Sequence, residues 1–362
     1  MIQVTKPVTP DLLKVYKYLE KVHHRAWLTN NGPLVRELTE RLQDYLGVRN
    51  LLLTANGTLA LQVAYKALGV EKEAVTSPFT FIATASAMKW QGVMPRFADI
   101  DSKSLCLSPE TAEQNLTEQT KAIVPVHVYG NPCDVEAFEK LGSKHSIPVI
   151  YDASHTFAVQ YKGDSILNWG DASTLSFHAT KLFHTVEGGG IAFKDDEVYE
   201  RAQKMLNFGL GGTRSDIDVP GINAKMSEVH AAYGLCILDS IDDILQRRSE
   251  ILSAYRTGLS SVVETPEWRE GASQNAAYAP LLLESEEQCL KVLDELKSVD
   301  VAARRYFYPS LNTVAEFRDI SAGNCSNAEN AASRAICLPI YPDLADADVQ
   351  RIIEAVKLGC SA

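Results

Sequence analysis

The chain has 362 residues, 46% of them hydrophobic and 22% charged, enough for a sizeable core and for two or so domains. A net charge of −11 leaves no basic stripe for nucleic acid, so an anionic small ligand must be held by helix N-termini and a few arginines. Seven scattered cysteines without a CxxC pair exclude a zinc site and a disulfide framework; with no signal-peptide core and no membrane-spanning apolar run, a soluble, cytoplasmic protein is expected.

In chain order, residues 8–24 read as a helix, with Leu12, Val15, Tyr16 and Leu19 at helical spacing. A loop from Trp27 to Pro33 precedes a second helix, with Val35, Leu38, Leu42 and Tyr45 on one face and Pro33 in its first turn. Leu51–Thr54 reads as a buried strand that ends at Ala55-Asn56-Gly57-Thr58 and runs into a helix. Strands at 73–76, 93–98, 122–128 and 147–151 then alternate with helices at 80–91, 109–116 and 134–145. Strands near 172–177 and 189–194 and a helix at 195–208 follow. Residues 209–224, rich in Gly, Asp and Pro, form a long loop. A helical stretch starts at Met226, reaches Leu238 and continues towards Tyr255. The remainder mixes strands at 278–283 and 335–339 with helices at 285–298 and 344–358. This alternation predicts an α/β fold, with a mostly parallel mixed sheet flanked by helices in a large domain, 1–245. A smaller α+β domain, 246–362, completes the chain.

In such sheets ligands sit beyond the carboxyl ends of the strands, and three features fall there. The first is Lys181, between the apolar run Thr174–Phe177 and the glycines 188–190. A lysine amine attacks a carbonyl only when deprotonated, so this one reads as a Schiff-base lysine for an aldehyde cofactor, or else as a surface lysine. The second is Asp152, closing the apolar run Val149-Ile-Tyr. It suits a partner for a protonated pyridine nitrogen, and it suits a helix cap as well. The third is Asn56-Gly57-Thr58, where glycine permits close backbone approach and a helix N-terminus faces a phosphate, unless the group is simple capping. Ser176 adds a hydroxyl to the same phosphate. Phe81, in Pro78-Phe-Thr-Phe81, stacks on a flat ring or belongs to the core.

Taken as an ordered set, these motifs resemble the DegT/DnrJ/StrS family of nucleotide-sugar aminotransferases, of fold type I and dependent on pyridoxal phosphate. The matching segments are Trp27–Gly32, Asn56–Leu61, Pro78–Thr84, Phe97–Asp101, Val126–Gly130, Asp152–His155, Ser176–Lys181, Glu187–Gly190, Gly221–Met226 and Leu338–Pro342. The resemblance implies that Lys181 binds the cofactor covalently and shuttles the proton between the substrate carbon and the cofactor's C4′. It implies that Asp152 pairs with the pyridine nitrogen and that His155 lies near the ring hydroxyl. Phe81 stacks on the ring, and Gly57, Thr58 and Ser176 hold the phosphate. Asn223 is similar to the family asparagine that reaches the phosphate of the neighbouring subunit's cofactor, which implies a homodimer with shared active sites. Thr29, Asn30 and His178 are expected at the sugar. Arg304, Arg305, Tyr306 and Tyr308 either meet a nucleotide diphosphate or form a solvated strand end. The chain departs from the family pattern at Ala224 and at Asn131, where glutamine is frequent.

The expected reaction takes an amino group from L-glutamate to a nucleotide-linked keto-sugar. The Ser-Phe-His-Ala-Thr-Lys motif is most similar to that of members acting at C4 of dTDP-4-keto-6-deoxyglucose, in a bacterial O-antigen or other glycan pathway. Rival readings are amination at C3 of a dTDP-3-keto sugar, C4 amination of a UDP- or GDP-sugar, and a non-catalytic regulatory protein binding the same ligands. A sugar 3-dehydratase of this family carries histidine in place of the lysine, so Lys181 argues against it.

Overall fold

The computed structural model describes residues 1–211, 217–317 and 323–361; positions 212–216 of the expected loop and 318–322 and 362 of the C-terminal part lie outside them. Helix α1 (Leu12–Arg25) starts later than the periodicity predicts. The Asp11 carboxylate caps it, accepting the N–H groups of Leu13 at 2.7 Å and Lys14 at 3.4 Å. The preceding backbone is tied elsewhere, since the Val8 carbonyl accepts from His184 Nε2 at 2.8 Å. Helix α2 (Pro33–Leu46) has Pro33 in its first turn as expected and buries Val35, Leu38 and Leu42.

The sheet-forming elements follow: β1 (Asn50–Thr54), α3 (Gly57–Ala67), β2 (Glu73–Thr76), α4 (Ala83–Trp90), β3 (Met94–Phe97), α5 (Pro109–Gln114) and β4 (Thr120–Val124). After them come α6 (Val135–His145), β5 (Ile150–Asp152), a small hairpin of β6 (Gln160–Tyr161) and β7 (Asp164–Ser165), β8 (Ala172–Ser176), β9 (Gly189–Phe193) and α7 (Asp196–Leu206). Strands β3, β2 and β4 pair in that order, all parallel. Strands β1, β9, β8 and β5 form a second group, joined to the first by parallel bridges from Ile123 to Val149 and from Val126 to Asp152. Only β9 runs against its neighbours among these described strands. The result is the mostly parallel mixed sheet that the alternation predicts. Helix α3 packs on β8 and β9 with α4 and α7 beside it, and α2 packs against α8 (Glu228–Leu238).

Register sets the stage for chemistry. Thr54, Gly189 and Ser176 lie in one row across β1, β9 and β8, and Asp152 pairs with Thr174 in the parallel β5–β8 pair. The ends of β1, β5 and β8 therefore open onto one edge of the sheet.

Helix α9 (Ile241–Leu259) is separate from α8, because the helix breaks at Asp239–Ser240 although the apolar pattern runs on. Strand β10 (Pro280–Leu282), α10 (Glu286–Ser298), α11 (Ser326–Arg334), β11 (Ala335–Cys337) and α12 (Asp346–Ser361) follow, with β10 and β11 antiparallel. Helices α9, α10 and α12 with one side of β10 and β11 surround a second core, including Ile251, Tyr255, Leu283, Val292, Ile352 and Val356, whereas Ala328, Ala331 and Ala332 of α11 join the main core. No helix among the described residues is long and apolar enough to cross a membrane.

Candidate active site

Asp152 ends β5 and is almost wholly buried. Both of its oxygens are engaged. Oδ2 accepts the Thr84 hydroxyl at 2.7 Å, while Oδ1 accepts the Ser154 hydroxyl at 2.6 Å and the Ser154 N–H at 3.1 Å. The carboxylate is thus held in one orientation by groups from α4 and from the turn that follows its own strand.

Lys181 sits in the turn between β8 and β9, near enough to Asp152 to feel its charge. Burial of the amine pulls it down from 10.5 to about 8, against the opposing pull of Asp152 and of Tyr306. Its amine donates to the Tyr278 hydroxyl at 3.3 Å and lies 5.7 Å from the centre of that ring.

His155 lies alongside, lining the same cleft as Ser176, Lys181, Tyr278 and Tyr306. Its ring is stacked on Phe307 at 5.8 Å and meets Tyr278 edge-on at 4.7 Å, and its Nδ1 accepts the Tyr129 N–H at 3.2 Å. Burial, and secondarily the charge of Lys181, push its pKa well below 6.5, so the imidazole is neutral.

At the end of β1, Asn56 caps α3 by accepting the Leu59 N–H at 2.9 Å. A side chain at Gly57 would place its Cβ 3.0 Å from Ser176 Cβ and 3.2 Å from the Ser176 hydroxyl oxygen. Glycine there leaves open a cradle between the first turn of α3 and the end of β8. No residue among those described accepts from the Gly57 or Thr58 N–H. A buried carboxylate, a desolvated lysine, a neutral imidazole and an open helix N-terminus fit a phosphorylated, cationic ring bearing an aldehyde.

Most of the remaining expected residues are exposed. Phe81 is exposed, three residues before Thr84, whose hydroxyl also touches the Phe81 carbonyl at 3.3 Å. Asn223 is exposed in a segment laid along β1, where the Ala224 carbonyl accepts from Ala55 at 2.8 Å. Thr29 and Asn30 are exposed on the loop before α2, with Asn30 in a left-handed conformation at φ 64°. His178 is exposed and shares a hydrogen bond of 2.9 Å with Thr180, its other nitrogen 3.7 Å from Glu187. Arg304 is exposed against the Tyr306 hydroxyl. Tyr308 is exposed too, but the Arg305 guanidinium lies 3.4 Å from the centre of its ring. Arg305 itself is committed to the fold, donating to Glu286 at 2.7 Å and to the Ser333 carbonyl at 2.6 Å, which removes it from the expected diphosphate contacts.

Three residues of the site escaped the sequence reading. Thr84 and Ser154 lie inside motifs singled out above, and only their side-chain directions reveal that they hold Asp152. Tyr278 lies 97 residues from Lys181, and no local pattern links them.

The sequence profile of the DegT/DnrJ/EryC1/StrS aminotransferase family matches residues 14–357. A dTDP-4-amino-4,6-dideoxy-D-glucose transaminase of Shigella dysenteriae is 38% identical over 98% of this chain and 98% of its own. One of the same description from Escherichia coli is 36% identical over 97% of this chain and 96% of its own. DesI, solved in the presence of its TDP-sugar product, superposes with a TM-score of 0.94 at 31% identity, covering 99% of this chain and 93% of its own.

Proposed function

The chain belongs to the DegT/DnrJ/EryC1/StrS aminotransferase family, and on that premise we propose that it aminates C4 of dTDP-4-keto-6-deoxy-D-glucose with pyridoxal phosphate as cofactor. L-Glutamate is the donor, and the products are dTDP-4-amino-4,6-dideoxy-D-glucose and 2-oxoglutarate. The observation that carries the chemistry is the Lys181 amine, buried beside Asp152 and brought down to about 8. The choice of sugar is supported by the two transaminases above, which match this chain almost end to end.

Bound pyridoxal phosphate supplies an aldehyde that carries the amino group and a ring that draws electrons from the reacting carbon. The side chains do the rest. With a value near 8, about a tenth of the Lys181 amine is uncharged at pH 7, enough for a lone pair to attack a carbonyl. The same nitrogen would take a proton from the substrate carbon and, with the cofactor bound, would return one to its C4′. Asp152, fixed by Thr84 and Ser154, offers its carboxylate to the pyridine nitrogen. His155 would lie near the ring hydroxyl, and Phe81 would cover the ring. Gly57, Thr58 and Ser176 would hold the phosphate, together with Asn223 from the neighbouring subunit. Thr29, Asn30, His178, Arg304 and Tyr308 face the nucleotide sugar.

The reading extends to a cytoplasmic homodimer with shared sites, serving O-antigen or lipopolysaccharide synthesis. The uniformly free cysteines among the described residues support a reducing compartment. The second core around Ile251 and Val292 supports a large unit, 1–245, and a small one, 246–362, with the boundary inside α9, while Phe307, Leu311, Ala328 and Cys337 of the small unit pack into the main core.

The test is incubation with dTDP-4-keto-6-deoxyglucose, glutamate and pyridoxal phosphate, followed by NMR of the product. A nitrogen on C4 is expected. A nitrogen on C3, or turnover of UDP- or GDP-keto-sugars alone, overturns the assignment.

A further inference from the structure

Among the described residues, the Lys181 amine has a single hydrogen-bond partner, the Tyr278 hydroxyl. Tyr278 lies outside every motif that carries the family resemblance. Its ring is enclosed by His155 at 4.7 Å and by Tyr129 and Tyr306, each at 5.6 Å. Burial pushes the hydroxyl far above its ordinary value, so it keeps its proton.

The segment that delivers this ring is braced twice. The Asn275 amide donates to the carbonyls of His155 and Phe157, both at 2.9 Å. Arg248, buried on α9, donates to the carbonyls of Ala276 at 3.0 Å, Ala277 at 2.8 Å and Ile340 at 2.9 Å. No carboxylate pairs with this guanidinium among the described residues, and burial brings it down to about 10. A buried cation is costly to keep, and here its donors all go to backbone within or facing the stretch that ends in Tyr278.

We propose that Tyr278 is a catalytic residue of the transfer reaction, holding the Lys181 amine whenever that amine is free of the cofactor, and that Arg248 is the positioning residue that keeps Tyr278 in place. The proposal rests on the aminotransferase reading above. A hydroxyl donates and accepts, so it engages the amine both as NH2 and as NH3+. A proton shuttle needs that property, because the charge on its nitrogen changes while its location must not. The proton leaves the substrate carbon for Nζ and returns from Nζ, and Tyr278 retains its own proton throughout.

The test is Tyr278→Phe, which preserves the ring and removes the hydroxyl. Cofactor-free protein is mixed with pyridoxal phosphate and the rate of appearance of the visible absorbance is followed. Loss of one hydrogen bond to the attacking nitrogen is expected to slow capture about tenfold. With α-deuterated glutamate, the isotope effect on the donor half-reaction is expected to rise, because proton removal becomes more limiting. Arg248→Lys, which cannot span three carbonyls, is expected to show a milder defect of the same kind. Added to Tyr278→Phe, it should make neither readout worse. Wild-type capture together with an unchanged isotope effect in Tyr278→Phe overturns the role of Tyr278. Fully additive defects overturn the role of Arg248, and if Arg248→Lys does not fold, the Tyr278→Phe measurements decide. Should wild-type and Lys181→Ala protein respond identically to pyridoxal phosphate, the aminotransferase reading itself fails. If wild type captures it and Tyr278→Phe does so equally fast with an unchanged isotope effect, only the present proposal fails.

Discussion

The Thr84 hydroxyl donates to Asp152 Oδ2 at 2.7 Å and so ties the first turn of α4 to the end of β5. Thr80 lies 3.0 Å behind it, so the carboxylate is backed by a short buried hydroxyl chain on one side and by Ser154 on the other. An aspartate without these contacts is free to turn away from a ring nitrogen.

Thr84→Val keeps the shape and removes the donor. Leaving that oxygen without its partner is expected to cost about 1–2 kcal/mol of stability and to weaken cofactor retention about tenfold. Urea unfolding and an absorbance titration with pyridoxal phosphate measure the two. Wild-type retention would show that the orientation of Asp152 does not depend on Thr84.

Glu228 is fully buried and takes two N–H groups at the start of α2, from Leu34 and Val35, each at 2.9 Å. A Cβ on Gly32 would come 2.5 Å from its carboxyl carbon. Glu228→Ala is expected to lose roughly 2–4 kcal/mol, since two helix donors are left buried without an acceptor. Gly32→Ala is expected to destabilise in the same direction by displacing the carboxylate. Hydrogen exchange at Leu34 and Val35 should accelerate in both, and unaltered protection of these amides sinks the explanation.

Burial, with a smaller contribution from Arg269, lowers His127 from 6.5 to about 3, and its Nε2 has no partner among the described residues. The folded value lies below the unfolded one, so the unfolded chain binds more protons between these limits. The stability involved is fully present above about 6.5 and is lost as pH falls, by about 1.4 kcal/mol per pH unit for each such histidine. His155 acts in the same sense. Urea midpoints should hold between pH 8 and 7 and fall from about pH 6.5 down to 5, and His127→Asn should flatten the slope below pH 6 by one proton's worth. An identical slope in the variant refutes this account.

The proposed sharing of active sites between subunits predicts complementation. Lys181→Ala and Asn223→Ala proteins, each impaired alone, give upon subunit exchange a mixed dimer with one site intact and one doubly altered. At equal mixing about a quarter of all sites are restored. Activity that stays at the average of the two parents after exchange argues that each subunit completes its own site.

Most of the sheet is legible in the sequence because buried strands and amphipathic helices carry their periods openly, as in β1, α2 and α6. The errors occur where tertiary contacts override the local pattern. Thr80 and Phe81 suit a helix, yet α4 begins at Ala83, since the Ser77 hydroxyl holds the Phe79 N–H at 3.0 Å in a turn. Arg305 resembles an anion-binding arginine in the sequence, and only the position of α11 reveals where its fork goes. Of the candidate site, Lys181, Asp152, Gly57 and Ser176 are legible because they stand at or just past strand ends, and His155 only through the family resemblance. Tyr278 is not, because its place depends on α9 and on Asn275, far away along the chain.

The antiparallel course of β9 bears on how this protein can be altered. Ser176 leaves the sheet and Gly189 re-enters it in the same row, so residues 177–188 form a closed excursion anchored at both ends. Its return is tight, for a Cβ on Gly189 would lie 2.7 Å from the Asn56 backbone. Any insertion or deletion in that excursion shifts Lys181 against Asp152. Efforts to redirect the enzyme to another sugar should therefore keep its length fixed and vary the exposed residues at 27–31 and at Arg304 and Tyr308.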